Sequence, residues 1–96
     1  MFKKKKPVRL TGEPLRKLVA AVYDRDGHCC ILCRAWVQEG EKPHHVIFKS
    51  HGGGDTLDNL VLLCYKCHKK VHGGKDSRRL KAEILEYMRR FYEILD

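Results

Sequence analysis

Apolar side chains recur at helical spacing near the start of the chain. They are Leu15, Leu18, Val19, Val22 and Tyr23. Residues three and four apart share one face of a helix, so this spacing is typical of an amphipathic helix. Thr11 suits the N-cap, Pro14 suits the first turn, and Gly27 is a natural stop. The pattern predicts a helix over residues 13–26 with one buried face.

A second helical stripe occupies the C-terminal part of the chain. Its apolar positions are Leu80, Ile84, Leu85, Met88, Phe91, Tyr92 and Leu95. Asp76 or Ser77 can cap this helix, which the spacing predicts over residues 76–95. Such a stripe packs on a core in the ordinary case, although a dimer or partner face would show the same pattern.

The middle of the chain changes to β-like patterning. Residues 44–48 and 60–63 are two short apolar segments, and three consecutive glycines at 52–54 separate them. Three glycines in a row oppose both helix and strand. They are therefore expected to form a loop, and the flanking segments can pair as a hairpin.

A short helix is expected to follow this hairpin. Cys64 opens it, it runs to about His72, and two glycines end it. The hairpin and the helix together form a unit over residues 43–74. A cysteine-containing turn over residues 29–34 precedes this unit.

The charge balance indicates a polyanionic partner. The chain has 96 residues, which make one small domain, and 20 Lys+Arg against 12 Asp+Glu give a net charge of +8. A basic balance of this size favours nucleic acid through counterion release. Residues 1–10 are expected to form a flexible basic arm that either follows a nucleic-acid backbone or is a solvated tail. Its clustered lysines are Lys3, Lys4, Lys5 and Lys6.

Four of the five cysteines form two Cys-x-x-Cys pairs. They are Cys30, Cys33, Cys64 and Cys67. Two such pairs in a small domain suit a structural Zn²⁺ site better than a disulfide framework. Cys29 is an alternative ligand, but its spacing to Cys33 differs from the usual knuckle, so a buried or spare thiol is expected there. The N-terminus has no secretory apolar core, and residues 60–64 are too short to span a bilayer.

Four histidines lie in the predicted hairpin and helix. They are His44, His45, His68 and His72. The last two are four residues apart and share a helix face, a standard arrangement for holding a metal ion. Adjacent side chains of a strand point to opposite faces, so either His44 or His45 can supply a third ligand while its neighbour serves as a general base. Three protein ligands leave positions open for water and substrate, as catalytic metal sites require.

These motifs, in this order and spacing, resemble the HNH endonuclease family. The resemblance covers residues 25–74, with Cys-x-x-Cys, His-His, Gly-Gly, Asn-Leu-Val-x-Leu-Cys-x-x-Cys-His and a final His. It implies an α+β fold, namely a small zinc-stabilised ββα-metal or His-Me finger domain over residues 11–96. Helices flank this nuclease core on its N- and C-terminal sides.

The resemblance implies a role for each residue of the motif. His44 takes the place of the first metal ligand, and His68 and His72 complete the site of one catalytic divalent ion. His45 takes the place of the general base that activates water. Asn59 fixes the orientation of this base by hydrogen bonding across the hairpin loop. The four paired cysteines resemble the structural zinc site of many relatives.

By this resemblance the chain is a metal-dependent endonuclease that hydrolyses DNA phosphodiester bonds. It nicks or cuts duplex DNA and leaves a 5′-phosphate and a 3′-hydroxyl. Imidazole ligands favour Zn²⁺, Ni²⁺, Co²⁺ or Mn²⁺ over Mg²⁺ as the catalytic ion. Outside the arm, the basic residues expected to contact DNA are Arg34, Lys49, Lys69 and Lys70.

Small freestanding members of this family occur in bacteriophages and prophages, often beside packaging genes. The chain is therefore expected to act in the cytoplasm of a bacterial or phage-infected cell, away from membranes, as a monomer or weak dimer. A phage terminase or another recognition partner would supply sequence specificity.

Two other interpretations stay open. A non-catalytic zinc module, or an accessory subunit of a phage DNA-packaging machine, would bind nucleic acid with one metal ion instead of two. A protein-interaction module would use the C-terminal helix to dimerise or dock.

Overall fold

The computed structural model describes residues 7–92. Its elements are α1 (Gly12–Asp26), β1 (His44–His45), β2 (Leu60–Val61), α2 (Tyr65–Gly73) and α3 (Ser77–Met88). Short 3-10 turns at Lys49–His51 and Leu57–Asn59 lie between the strands. This arrangement confirms the predicted α+β class. The lysines of the expected basic arm lie outside the described residues.

The two strands form an antiparallel hairpin, as the apolar pattern predicts. His44 pairs with Val61, and His45 pairs with Leu60. The side chains of the two histidines leave opposite faces of the strand, and His44 is the buried one, with 3% of its surface exposed. The connection passes so close to β1 that a Cβ at Gly53 would overlap the carbonyl oxygen of Ile47. A glycine is therefore required at this position of the loop.

The core lies between α1, the second strand and the two later helices. Its buried apolar side chains are Val22, Tyr23, Cys30, Val37, Leu60, Val61, Leu62, Leu63, Cys67, Val71, Leu80, Ile84 and Met88. The predicted stripe of α1 is only partly covered, because Leu15, Leu18 and Val19 remain half-buried. Leu15 and Val19 line an open groove. No helix within residues 7–92 has the length and apolar character needed to cross a membrane.

Helix α3 ends earlier than its apolar spacing predicts. It stops at Met88 instead of near residue 95, and the described chain continues as turns to Tyr92. The rings of Phe91 and Tyr92 lie 5.7 and 5.8 Å from the guanidinium carbon of Arg25. The attraction between this cation and two aromatic rings favours the departure from the helical path.

Arg25 connects the end of α1 to the second half of the hairpin. Its guanidinium donates to the Asp26 carboxylate at 2.8 and 3.0 Å. It also donates to the carbonyl oxygens of Leu57 at 2.7 Å and Leu60 at 2.5 Å. The side chain therefore fixes the position of the 3-10 turn that precedes β2.

Asp26, the acidic partner of Arg25, connects α1 to two further parts of the chain. It is 3% exposed, and its carboxylate accepts hydrogen bonds from the Leu62 backbone N–H at 2.9 Å and from the Tyr87 hydroxyl at 2.7 Å. A buried charge is tolerated only when it is paired and its hydrogen-bonding capacity is filled. These bonds hold α1, the chain after β2 and α3 in one arrangement.

Replacing Tyr87 by Phe tests this arrangement through its pH dependence. Burial and the Asp26 carboxylate raise the pKa of Tyr87 to about 12. An unfolded chain ionises tyrosine near pH 10, so the contribution of this hydroxyl is complete below about pH 10 and is lost as pH rises towards 12. At about pH 8 the variant should lose roughly 1–3 kcal/mol of unfolding free energy, the value of a hydrogen bond to a charged group.

Urea unfolding between about pH 8 and 11 measures the difference between variant and wild type. The difference should narrow above about pH 10. Tyr65→Phe is the matched control, because Tyr65 is 74% exposed and should change stability little at any pH. A Tyr87→Phe deficit that is constant with pH would contradict the assignment.

Candidate active site

Three histidines from the hairpin and the following helix converge on one point. They are His44, His68 and His72, and one ring nitrogen of each lies within 4.8 Å of those of the other two. The Nε2 atoms of His68 and His72 are 2.9 Å apart, because positions four apart project from the same helix face. The structure thus brings together the three imidazoles that the sequence analysis assigns to a catalytic ion.

The chemistry of these donors fits a divalent cation. Nδ1 of His44 is buried and has no hydrogen-bond partner among residues 7–92. Burial, with the neighbouring His68 and His72, lowers the pKa of His44 to about 3, and burial with His72 lowers the pKa of His68. The imidazoles of His44 and His68 are therefore favoured in the neutral form that ligates metals. A set of three imidazole nitrogens favours Zn²⁺, Ni²⁺ or Co²⁺ over Mg²⁺.

His45 borders this cluster without joining it. With the three clustered histidines it lines an open hollow of about 440 Å³, but its Nε2 lies 2.8 Å from Oδ1 of Asp55. Burial raises the pKa of Asp55. The hydrogen bonds that its carboxylate accepts from His45 and from the Leu10 N–H outweigh burial and lower this pKa below its ordinary value. Asp55 is not among the site residues predicted from the sequence. Its only sequence signal is its place directly after the three glycines.

Asn59 connects the two sides of the hairpin loop. Its Oδ1 accepts from the Ile47 N–H at 2.8 Å, and its Nδ2 donates to the carbonyl oxygens of Ile47 at 3.2 Å and Gly54 at 3.0 Å. The residue is 7% exposed, so these bonds satisfy an amide that would otherwise be buried at a cost. Asn59 thereby fixes the backbone that leaves β1 just after His45.

Cations surround one side of the histidine hollow. Lys42 and Lys49 line it, and Nζ of Lys81 in α3 lies 4.9 Å from the centroid of the Phe48 ring. The Phe48 ring in turn stacks on His72, with centroids 4.5 Å apart. Lys49 is among the residues predicted to contact DNA, whereas Lys42 and Lys81 are not. Lys81 reaches the site only because α3 packs beside the hairpin, which local patterning does not reveal.

Three other residues predicted to contact DNA, Arg34, Lys69 and Lys70, are not among those that line this hollow. Arg34 lines a separate surface hollow with Glu83 and Glu86, and its contact with DNA stays a prediction. Lys69 packs over the Tyr65 ring at 5.3 Å on the exposed side of α2. Lys70 is also exposed on α2, and Lys3, Lys4, Lys5 and Lys6 lie outside the described residues.

The four paired cysteines form a second cluster. Their sulfur atoms lie within 4.8 Å of one another, and those of Cys33 and Cys64 are 3.5 Å apart. A tetrahedral site with Zn–S bonds of about 2.3 Å separates its sulfurs by about 3.7 Å, so the cluster could hold a structural metal. Burial raises the pKa of Cys64, but the Cys67 backbone N–H and the neighbouring thiols lower it to about 7. Cys29 is outside the cluster, and its backbone bridges to Trp36.

A family model described as HNH endonuclease matches residues 30–74, the segment that contains both clusters. The match begins at the first clustered cysteine and ends at the glycines that terminate α2. The chain belongs to the HNH endonuclease family.

Two relatives match short parts of the chain. The type IV methyl-directed restriction enzyme EcoKMcrA of Escherichia coli K12 is 51% identical over 37 residues, which are 38% of this chain and 13% of that enzyme. The probable mobile endonuclease C of Enterobacteria phage T4 is 49% identical over 43 residues, 38% of this chain and 20% of the phage protein. The chain therefore spans only a small part of both endonucleases.

A third relative matches over most of its length. Anaredoxin of Nostoc sp. strain PCC 7120 is 34% identical over 70 residues, which are 72% of this chain and 84% of anaredoxin. This similarity extends beyond the segment that the family model covers.

Metal analysis of the purified chain tests the two clusters separately. Wild type should carry two ions per chain, one for each cluster. His68→Ala/His72→Ala should lose one ion and little stability, because His72 is exposed and His68 is only half-buried. Cys30→Ser/Cys67→Ser should lose the other ion together with cooperative unfolding, since binding of a structural metal contributes directly to folding free energy.

Inductively coupled plasma mass spectrometry measures the metal content of each variant, and thermal unfolding measures its stability. Two ions retained in the double histidine variant would place the second ion elsewhere. A single ion in wild type would leave the histidine cluster without the role expected from its donors.

Proposed function

We propose that the chain is a metal-dependent endonuclease that hydrolyses DNA phosphodiester bonds. The observation that carries this proposal is the convergence of His44, His68 and His72 beside His45, whose ring is outside the ligand set. Membership of the HNH endonuclease family supports it, and two relatives are named as a restriction enzyme and a probable mobile endonuclease.

The residues divide the reaction between them. An ion held by the three clustered imidazoles would act as a Lewis acid towards the phosphoryl and leaving oxygens, where negative charge grows. His45 is the general base that takes the proton of the attacking water, a contribution of about 10²- to 10⁴-fold in rate. Asn59 holds the backbone beside this base, and Lys42 and Lys49 attract the substrate phosphates. The products are a 5′-phosphate and a 3′-hydroxyl.

The catalytic ion is Zn²⁺, Ni²⁺, Co²⁺ or Mn²⁺ in preference to Mg²⁺, because all three ligands are imidazoles. The four clustered cysteines hold structural Zn²⁺, for which their sulfur spacing is suited. Both proposals rest on donor chemistry, and metal content with add-back of each ion tests them.

The net charge favours duplex DNA as a weakly discriminated substrate. The net charge of +8 supports binding through backbone phosphates, which carry no sequence information directly. A phage terminase or another partner would add specificity to a monomer or weak dimer. We place this activity in the cytoplasm of a bacterial or phage-infected cell, in line with the E. coli and phage T4 sources of two relatives.

A second candidate is a zinc-stabilised nucleic-acid-binding module without catalysis, including an accessory subunit of a DNA-packaging machine. The observation in its favour is the cysteine cluster, which could hold a structural metal without any contribution from the histidines. This candidate needs only the four cysteines and the basic surface. It gives no account of the buried His44 or of its convergence with His68 and His72.

Plasmid cleavage by protein stripped of the histidine-held ion, with the cysteine-held zinc retained, separates the two candidates. Mg²⁺, Mn²⁺, Ni²⁺ and Zn²⁺ are added back singly to wild type, His45→Ala and His28→Ala, and nicking and gel-shift affinity are measured. His45→Ala should lose about 10²- to 10⁴-fold in nicking rate and keep its DNA affinity. His28→Ala is the matched control, because His28 stacks on Trp36 with centroids 5.3 Å apart and lies outside the clusters.

Equal nicking by wild type and His45→Ala would remove His45 from the base role. Firm DNA binding without cleavage under any of the metals would favour the non-catalytic module.

A further inference from the structure

The pairing of His45 with Asp55 determines which ring nitrogen carries the hydrogen. The Nε2–Oδ1 distance is 2.8 Å, and the two side chains are 18% and 8% exposed. An ionised carboxylate can only accept hydrogen bonds, so Nε2 must be the donor. In a neutral imidazole the other nitrogen, Nδ1, then holds the lone pair.

We infer that Asp55 is a positioning residue for the general base, and that Nδ1 of His45 is the atom that accepts the proton of water. This inference rests on the proposed function. The O–H bond of water breaks and its proton moves to Nδ1, while Nε2–H stays hydrogen-bonded to Asp55. The carboxylate keeps its charge and stabilises the imidazolium that forms, as in other His–Asp pairs.

The Asp55 carboxylate is itself held in place from a distant part of the chain. Its Oδ2 accepts from the Leu10 backbone N–H at 3.0 Å, and its own backbone N–H donates to the Val8 carbonyl oxygen at 2.8 Å. Arg9 donates to the carbonyl oxygen of Gly53 at 2.6 Å. Oδ1 of Asp55 is thus bonded to His45 and Oδ2 to Leu10, which prevents the carboxylate from rotating away from His45.

The glycine loop allows this close approach. A Cβ at Gly54 would lie 3.0 Å from the Val8 backbone nitrogen, closer than side chains ordinarily tolerate. Residues 8–10, which precede α1, can therefore lie directly against the loop that carries Asp55. The sequence TLDN that follows Asp55 returns the chain to Asn59 and the second strand.

Asn59 and Asp55 constrain His45 in different ways. The backbone after His45 is fixed by Asn59, whose carbonyl oxygen accepts from the Val46 N–H at 2.8 Å and whose side chain binds Ile47. The ring of His45 is fixed by Asp55 alone among these contacts. Loss of Asp55 should therefore affect tautomer and ring orientation and leave the hairpin intact.

Histidine tautomers are read directly by long-range ¹H–¹⁵N NMR of ¹⁵N-histidine-labelled, zinc-loaded protein at about pH 8. The His45 signals are assigned by their absence from His45→Ala. Wild type should show His45 protonated at Nε2, whereas Asp55→Asn should show a mixture or the opposite tautomer. A wild-type His45 protonated at Nδ1 would overturn the inference without any variant at Asp55.

Kinetics supply the second readout. Asp55→Asn should lower kcat for plasmid nicking by about 10- to 100-fold, with KM and the content of both metals unchanged. Asp55→Glu, which restores a carboxylate, should recover part of this loss. Asp24→Asn is the matched control, because Asp24 also pairs with a histidine, His28 at 3.9 Å, but is 83% exposed on α1. It should keep wild-type kcat.

The outcomes separate this inference from the proposed function. If Asp55→Asn keeps the wild-type tautomer and the wild-type kcat while His45→Ala is inactive, the positioning role is overturned and the proposed nuclease activity is not. Wild-type activity of His45→Ala would overturn both.

Discussion

The buried ion pair of Arg25 and Asp26 joins elements that would have little stability apart. The hairpin consists of two strands of two residues each, and an isolated hairpin of this size is at best marginal in water. Hydrogen bonds join the pair to Leu60 in β2, to Leu62 just after β2, and to Tyr87 in α3. The site is therefore built on a hairpin whose position is set from outside it, by side chains at the end of the first helix.

Successive side chains of a β-strand point to opposite faces, so the neighbouring residues His44 and His45 have different surroundings. His44 points inwards to α2 and joins two histidines that a helical turn places together, while His45 points to the glycine loop and meets a carboxylate. Neither arrangement requires a large pocket or a long element. A change of one residue in strand register would exchange the two surroundings, which explains the need for the Asn59 bonds that fix the loop.

Local sequence patterns predicted most of these parts, because the parts are local. The spacing of His68 and His72, the doubled histidine and the paired cysteines each follow from the geometry of one helix, strand or knuckle. Such patterns do not predict the site positions of Asp55 and Lys81 or the early end of α3. Asp55 depends on contacts with residue 10, Lys81 on the packing of α3 beside the hairpin, and the helix end on aromatic contacts with Arg25. The role of each site residue stays a prediction until it is measured.

Helix α2 carries members of both clusters, and two of them, Cys67 and His68, are consecutive residues. Cys64 is the residue at the N-cap position of the helix, and His72 lies in its last turn. Whatever disturbs the thiols, such as chelation or oxidation of the exposed Cys33, acts on the helix that aims the imidazoles. The oxidation state of four sulfur atoms thus becomes a condition for the geometry of the histidine cluster, and we expect an oxidising environment to disturb that geometry without modifying a histidine.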